Sequence, residues 1–598
     1  MSRALATPGV APALTGTLPA APRRNRRAAA AALLARAADL LAAPRGTPAL
    51  LLLSAAISVS CCLLLFDRDF LDGTAPFWRD PHGVTGNSWA DMATALSGYD
   101  FFVRDEWRLP LFQAARLGPP GGTSIVFTDS TPVLALAGRL LFRLTGRAPN
   151  PFGVWTVLCL AASAAAMTLL AARLGARSLA AATAATAFGL CAPALLARWG
   201  QTTLMAQSEV TLALAFYVGA ARASPALPRL LRGAPLCALA LWTHAYLFAM
   251  VAAIVAAAIA QALLDRRLLP LPGLCLAAAL VALLAAQLVL SGYLPAAGTL
   301  AAPGFGAYSA NLLSPVFPDR DLLGALLGLG RLDATGGQGD GYCFLGAGAL
   351  LLLWCARRSL AGRARAAVRR HACLSAALLA CTLFALSNEV FLGQMHVLHV
   401  PLPPAALALA GVFRASGRFV WPVMYLAMAL GIAGCAASGA CRRASAILLA
   451  AAFLQCADSA PLWAEVERSL HDTLPSPVDA SAWEAAIARH DFVRVTPVLG
   501  CFENFSLPLG RIVMQIQLVA ARLNVATNNV YSARPGHDCA PTAHVLQPGE
   551  LWLRWLGDPS QPRPDAGSPC TTAFDLAVCS TTLDAAARAA LLPRAPVR

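Results

Sequence analysis

The chain has 598 residues, of which 58% are hydrophobic and 13% charged, and its net charge of +15 is carried by arginine because no lysine occurs. Soluble domains average about 25% charged residues, so this composition indicates a membrane protein. The missing lysine excludes a P-loop, a Schiff-base enzyme and a lysine general base, and arginines set beside apolar runs fit membrane orientation rather than nucleic-acid binding.

Residues 1–45 form a basic Ala/Pro/Arg tail with Arg23, Arg24, Arg26 and Arg27, read as disordered and cytoplasmic. A twin-arginine export signal does not fit, because Arg36 and Asp39 interrupt the apolar stretch behind the cluster. The run from Thr47 to Phe66 has the roughly 20 apolar residues a first span needs. Residues 67–150 are then a large first outer loop that holds Asp67, Asp69, Asp72, Asp80, Asp91, Asp100, Asp105, Glu106 and Asp129. Inside it, Ser88 to Val103 and Thr131 to Leu144 read as helices too short and polar to cross. The second of these carries Arg139 and Arg143, with Arg147 just beyond, at four-residue spacing, and is expected to lie flat at the interface with one charged face.

Ten further spans are expected. They run over 152–172, 179–197, 204–221, two short crossings within 235–264 that turn near Thr243 to Tyr246, 269–290, 341–356, 372–386, 417–437 and 444–457. Basic residues mark the inner ends: Arg173 and Arg177, Arg222 to Arg232, Arg266 and Arg267, and the segment Arg357 to Arg370, which has six arginines and no acid. The expected fold is therefore an all-α polytopic membrane protein of about eleven transmembrane helices over residues 46–459. A small α/β extracytoplasmic domain over 460–598 follows, indicated by Phe492 to Val495 and the apolar stretch 512–523. Of 17 cysteines, Cys501, Cys539, Cys570 and Cys579 lie in this last part. Four cysteines allow three pairings, and an extracytoplasmic location makes disulfides plausible.

Several residues are candidates for chemistry, each with a plain structural reading beside it. Asp67 and Asp69 form a D-x-D at the mouth of the first span, fit for a divalent metal or for simple interface capping. Asp91 sits at the start of the first interfacial helix, where a general base could face a lipid substrate and where dipole capping alone would also place a carboxylate. His244 lies at the turn within an apolar stretch, lining a cavity or bonded to Thr243 or backbone. Arg414 and Arg418 are one turn apart on the outer side, where stray arginines are disfavoured, and guanidinium groups grip phosphate in two-pronged fashion. Tyr308 and Asn311, with Gly306, Gln338 and Asp340, are placed to line the same mouth.

Ordered strings support a resemblance. They are Gly98-Tyr99-Asp100-Phe101-Phe102-Val103-Arg104, Trp107-Arg108-Leu109-Pro110-Leu111, Ser124 to Pro132, His244-Ala245-Tyr246-Leu247, Tyr308-Ser309-Ala310-Asn311-Leu312, Ala385-Leu386-Ser387-Asn388, and Phe413 to Pro422. Over residues 50 to 460 the chain resembles an uncharacterised bacterial multipass membrane family, the domain of unknown function 6311. Two departures from its pattern are Ala90, where a glycine precedes the aspartate, and Ala95, where a histidine stands. The family is similar in layout to GT-C-type glycosyltransferases, which use polyprenyl-phosphate sugar donors. The resemblance implies a bacterial inner-membrane enzyme with a cytoplasmic N-terminus and a periplasmic C-terminal domain. It would transfer a sugar from a polyprenyl-phosphate-linked donor to an envelope acceptor. In that reading Asp91 is catalytic, Arg414, Arg418, His244, Tyr308 and Asn311 bind substrate, and a divalent metal at Asp67 and Asp69 stays open. A non-catalytic envelope-assembly protein and a lipid-linked glycan transporter are the alternatives. The partners expected are membrane lipids and the lipid-linked sugar, with no nucleic acid.

Overall fold

Long apolar stretches with few charges leave the backbone no partner but itself in a hydrocarbon setting, so they fold as helices. The computed structural model describes residues 39–79, 88–294, 300–437, 441–471, 478–501, 507–532, 544–557 and 568–593, with Arg36, Arg534 and Pro564 singly. Arg23 to Arg27, Asp80, Gly86, Asn87 and Cys539 lie outside the described residues. The chain is mainly helical. Its longer helices are α1 (Thr47–Leu65), α2 (Ser88–Arg104), α3 (Pro132–Thr145), α4 (Phe152–Arg173), α5 (Leu179–Leu190), α6 (Ser208–Ala220), α7 (Gly233–Thr243) and α8 (Ala245–Leu264). They continue with α9 (Pro270–Ser291), α10 (Ala347–Arg370), α11 (Ala372–Leu386), α12 (Trp421–Ala436), α13 (Cys441–Asp458), α14 (Ala460–His471) and α15 (Leu507–Leu523).

Among the described residues six helical segments are long and apolar enough to cross a membrane: α1, α4, Leu179–Leu196, α8, α9 and Ser416–Ala436. The bent pairs α10–α11 and α13–α14 raise the number to eight if each pair is one span. The expected double crossing within 235–264 does break, at His244, into helices of 11 and 20 residues, and only the second has spanning length. Leu179–Leu196 is 83% buried and central, whereas α1 at 22% and α9 at 17% present most of their apolar surface outward. The basic segment after residue 356 continues α10 as an exposed helical extension, and the chain then turns by 101° into α11.

The first loop folds as expected in outline, with α2 and α3 as its two helices, but Arg139 of the expected basic face turns inward. Arg139 is fully buried, its Nε and Nη2 donating to the Phe102 carbonyl at 2.9 and 2.6 Å. Arg143 donates to the Asp105 carbonyl at 2.9 Å. The last carbonyls of α2 have no partner within their own helix and carry the negative end of its dipole, and the two guanidinium groups of α3 satisfy them. The exposed residues of α3 include Leu140, Leu141 and Leu144 beside Arg143, so its outward side mixes apolar and basic groups.

The C-terminal part holds a five-stranded mixed sheet of order β6-β5-β7-β9-β8. Its strands are β5 (Phe492–Thr496), β6 (Ala526–Thr527), β7 (Glu550–Trp555), β8 (Cys570–Ala573) and β9 (Leu576–Cys579), while β1 to β4 are two small hairpins upstream, Gln113–Ala114 with Thr123–Ser124 and Glu389–Leu392 with Met395–His399. A disulfide joins Cys570 to Cys579, and Cys501 is also disulfide-bonded. Helix α15 crosses from β5 to the parallel β6 and buries Ile512, Val513, Ile516 and Val519. Its other side lies on α2, where Gln517 donates to Ser97 Oγ at 2.7 Å. Across the same seam the Arg116 side chain donates to the Asn524 carbonyl, the Thr527 N–H donates to the Arg116 carbonyl, and the Gly118 N–H donates to the Thr527 carbonyl. The sheet domain and the helices thus share one continuous apolar core.

Candidate functional site

Where the ends of α2, α5, α7 and α12 meet the loops around them and the segment after β6, they line a cavity of about 710 Å³. Two glycines let it form. A Cβ on Gly98 in α2 would strike the hydroxyls of Thr128 and Ser130, so glycine there allows the 128–130 loop to rest on the helix that carries Asp91. A Cβ on Gly417 would collide with the backbone of Gly341 and Ser309, so glycine brings Arg418 up to Asp340. Asp129 and Thr131 both hold left-handed backbone conformations, with φ of 52° and 47°. Non-glycine residues keep such conformations only where their surroundings impose them, and here the loop aims Asp129 into the cavity.

The floor is a chain of charged and polar groups. Asp340 bonds Arg198 at 2.5 Å and Arg418 at 3.1 and 3.2 Å. Burial opposes the Asp340 charge, but the two guanidinium groups outweigh it and hold its carboxyl down at about 2. Arg198 also donates to Gln201 Oε1 at 3.1 Å, which turns the amide nitrogen of Gln201 toward Asp91 Oδ2 at 2.8 Å. Trp199 anchors this turn, stacked on Phe66, Phe70 and Phe77 and bonded to Ser469.

His244 caps α8, its Nδ1 accepting from the Tyr246 backbone N–H at 3.1 Å. The proton is therefore on Nε2, which faces Asp129 Oδ1 at 3.2 Å. The two carboxylates Asp91 and Asp129 are driven apart. Burial, joined by the charge of Asp129, pushes Asp91 up to about 6, against the pull of Gln201 and Arg418. Burial also acts on Asp129, yet the hydrogen bond and charge of His244, with Arg418 and Arg534, take it below the usual range.

Asp91, His244, Tyr308, Arg414 and Arg418, all singled out by sequence, therefore share one cavity. Arg414 lies over the Tyr308 ring at 5.4 Å, and among the described residues no carboxylate is within ion-pair distance of it. Arg418 is committed to Asp340 and lies 4.8 Å from the Tyr246 ring. Asn311 does not line the cavity. Its amide donates to Gln338 and Gly393 and accepts from Leu313 and Gly393, so it clamps loops together. Asp67 and Asp69 lie exposed beside α1, away from the lining, and among the described residues no group of three or more His, Cys, Asp or Glu is arranged to hold a metal.

Sequence reading missed Asp129, Arg198, Gln201 and the C-terminal pair Tyr531 and Arg534 as site residues. Arg198 had a usable signal, being an outer arginine like Arg414. The C-terminal pair had none, because their approach depends on the seam between α15 and α2. Tyr531 has its hydroxyl pushed up by the charge of Asp91 and by burial, and Arg534 donates to the Val412 carbonyl at 2.6 Å, two residues before Arg414.

A helical membrane protein with a charge-lined cavity at one end of its helices is thus the class this chain presents. The model of the family Domain of unknown function (DUF6311) matches residues 55–460, and the chain belongs to that family. No curated protein and no solved structure matches it.

Proposed function

We propose that this protein is a GT-C-like glycosyltransferase of a bacterial inner membrane, crossing about eleven times, that moves a sugar from a polyprenyl-phosphate donor to an envelope acceptor on the periplasmic face. The observation that carries the reading is that Asp91 shares one cavity with Arg414, which among the described residues has no carboxylate within ion-pair distance, and burial pushes the Asp91 carboxyl up to about 6. Paired carboxylates with separated proton affinities divide acid–base labour. Asp91 takes the proton of the acceptor hydroxyl, the acceptor oxygen bonds to the anomeric carbon, and the bond from that carbon to the phosphate oxygen breaks. The departing phosphate passes to Arg414, which stabilises the charge it gains. Arg418 acts through Asp340, Arg198 and Gln201 to set the position of Asp91.

Orientation is supported by the distribution of arginines. Arg173, Arg222 and Arg267 gather at the far end of α4, about 33 Å from Phe152 at the cavity end, as the positive-inside rule requires of a cytoplasmic face. The test is the envelope glycan profile of cells carrying Asp91→Asn at normal protein level. Loss of a glycolipid or polysaccharide sugar is the expected result. Unchanged glycans with a failed envelope assembly would overturn transfer in favour of the scaffold.

A further inference from the structure

Between Glu389 and Arg414 the chain carries no aspartate, glutamate, lysine or arginine. This stretch forms the hairpin β3–β4 and the helix Pro404–Gly411. An outer loop in water would be polar; this one exposes Met395 at 60%, Leu398 at 52% and Leu409 at 75%. The exposure is not looseness. Asn311 pins the turn through both backbone groups of Gly393, Gln394 donates to the Asp333 carbonyl, and Glu389 bonds both His396 and His399. The polar side chains of the hairpin are thus turned toward one another, and its apolar ones are left outward on a fixed frame.

Two further features say what covers that face. It continues the outward strip of α11, where Leu379 and Leu383 are each 59% exposed, so the same solvent that wets α11 extends over the hairpin. It also ends at the cavity rim. The Ala302 N–H donates to the Gly411 carbonyl at 3.1 Å, Ala302 and Pro303 line the cavity, and Arg414 follows three residues after Gly411. Behind this strip Tyr246, Phe384, Phe413 and Phe419 pack ring against ring.

We propose that β3–β4 and the helix Pro404–Gly411 lie in the outer leaflet and form a side entrance, along which the hydrocarbon tail of a lipid phosphate rests while Arg414 holds its head. The inference builds on the transferase reading in taking the ligand to be a prenyl phosphate. Burying apolar surface favours such a placement, and more so with each methylene group the tail adds.

The test uses the full-length protein in phosphatidylcholine vesicles. A fluorophore at position 398 or 409 is expected to be quenched by nitroxides on the acyl chains, and one at the exposed residue Glu106 is not. Binding of farnesyl phosphate is then compared with that of inorganic phosphate. Wild type should prefer the prenyl ligand, Leu398→Asp with Leu409→Asp should cut that preference roughly tenfold, and Arg414→Ala should weaken both ligands. Fluorophores at 398 and 409 that escape quenching would overturn the entrance. So would equal affinity for the two ligands in wild type. Quenching at both positions with neither ligand bound would uphold the membrane placement of the strip, overturn the tail route, and show that the phosphate-donor reading itself had failed.

Discussion

The two ends of the helical bundle use the same residue in opposite ways. At the end away from the cavity, arginines meet carbonyls and solvent: Arg267 donates to Ala220, Arg442 pairs with Asp39 in the open, and residues 361–370 of α10 are all exposed. At the cavity end, Arg198 and Arg418 are buried and share Asp340. An arginine that ends in water or headgroups needs no acid, whereas a buried one needs partners for its donors, a carboxylate as at Asp340 or a carbonyl as Phe102 gives Arg139. In the proposed reading the first kind sets orientation. The second is an arrangement that membranes tolerate mainly where it builds a site.

The sharpest way to break this contrast is at Asp91. Replacing it with asparagine is expected to lower sugar transfer by about 10²–10⁴-fold, measured with lipid-linked donor in vesicles. In the wild type the rate should rise as pH passes through about 6, because the base works deprotonated. Stability should move the other way. A folded carboxyl raised above its unfolded value of 3.8 binds protons more strongly in the native state, so stability falls as pH rises toward 6. Asp91→Asn should therefore raise the melting temperature at pH 7, whereas a merely structural carboxylate would lower it.

Asp340 tests the paired end directly. Asp340→Ala leaves two buried guanidinium groups without their acid and is expected to cost about 3 kcal/mol, read as thermal unfolding in detergent. Its depressed carboxyl contributes stability fully above about pH 4, and that contribution drains away as pH falls toward 2. Asp340→Asn keeps a hydrogen-bond acceptor and should lose less. Next in size is Arg414→Ala, for which the loss of charge-assisted bonds is expected to weaken phosphate binding by about 2 kcal/mol with unfolding unchanged.

Much of this contrast could be read from the chain, and the unread part has a physical reason. Period and composition placed α2, α3, the break at His244 and the C-terminal α/β unit, because each depends on neighbours within a few turns. Arg414 and Arg418 stood out as outer arginines, but their roles separated only in three dimensions, where Arg418 met Asp340 from residues far upstream. The four-residue spacing placed Arg139 and Arg143 on one helix, but Arg139 is buried while Arg143 stays exposed. A spacing fixes which residues share a face; the unpaired carbonyls at the end of α2 decided where Arg139 points. Asn311 shows the same limit, since a polar residue at a cavity mouth and one clamping a hairpin look alike in sequence.

The smallest expected effect lies at the exposed end and tests the other half of the comparison. Arg363→Gln with Arg365→Gln removes two charges from α10 at positions fully open to solvent. Surface changes of this kind alter stability by about 0.5 kcal/mol or less, so the melting temperature and lipid-phosphate binding should stay where they are. Orientation is a sum over many arginines, and four would remain between residues 357 and 370, so accessibility of a tag after residue 598 should also be unchanged. Replacing all six should alter that accessibility while the purified, correctly inserted fraction still binds ligand. If the double change instead weakened binding as Arg414→Ala does, the two ends would be one electrostatic unit, and the separation of orienting from site-building arginines would be wrong.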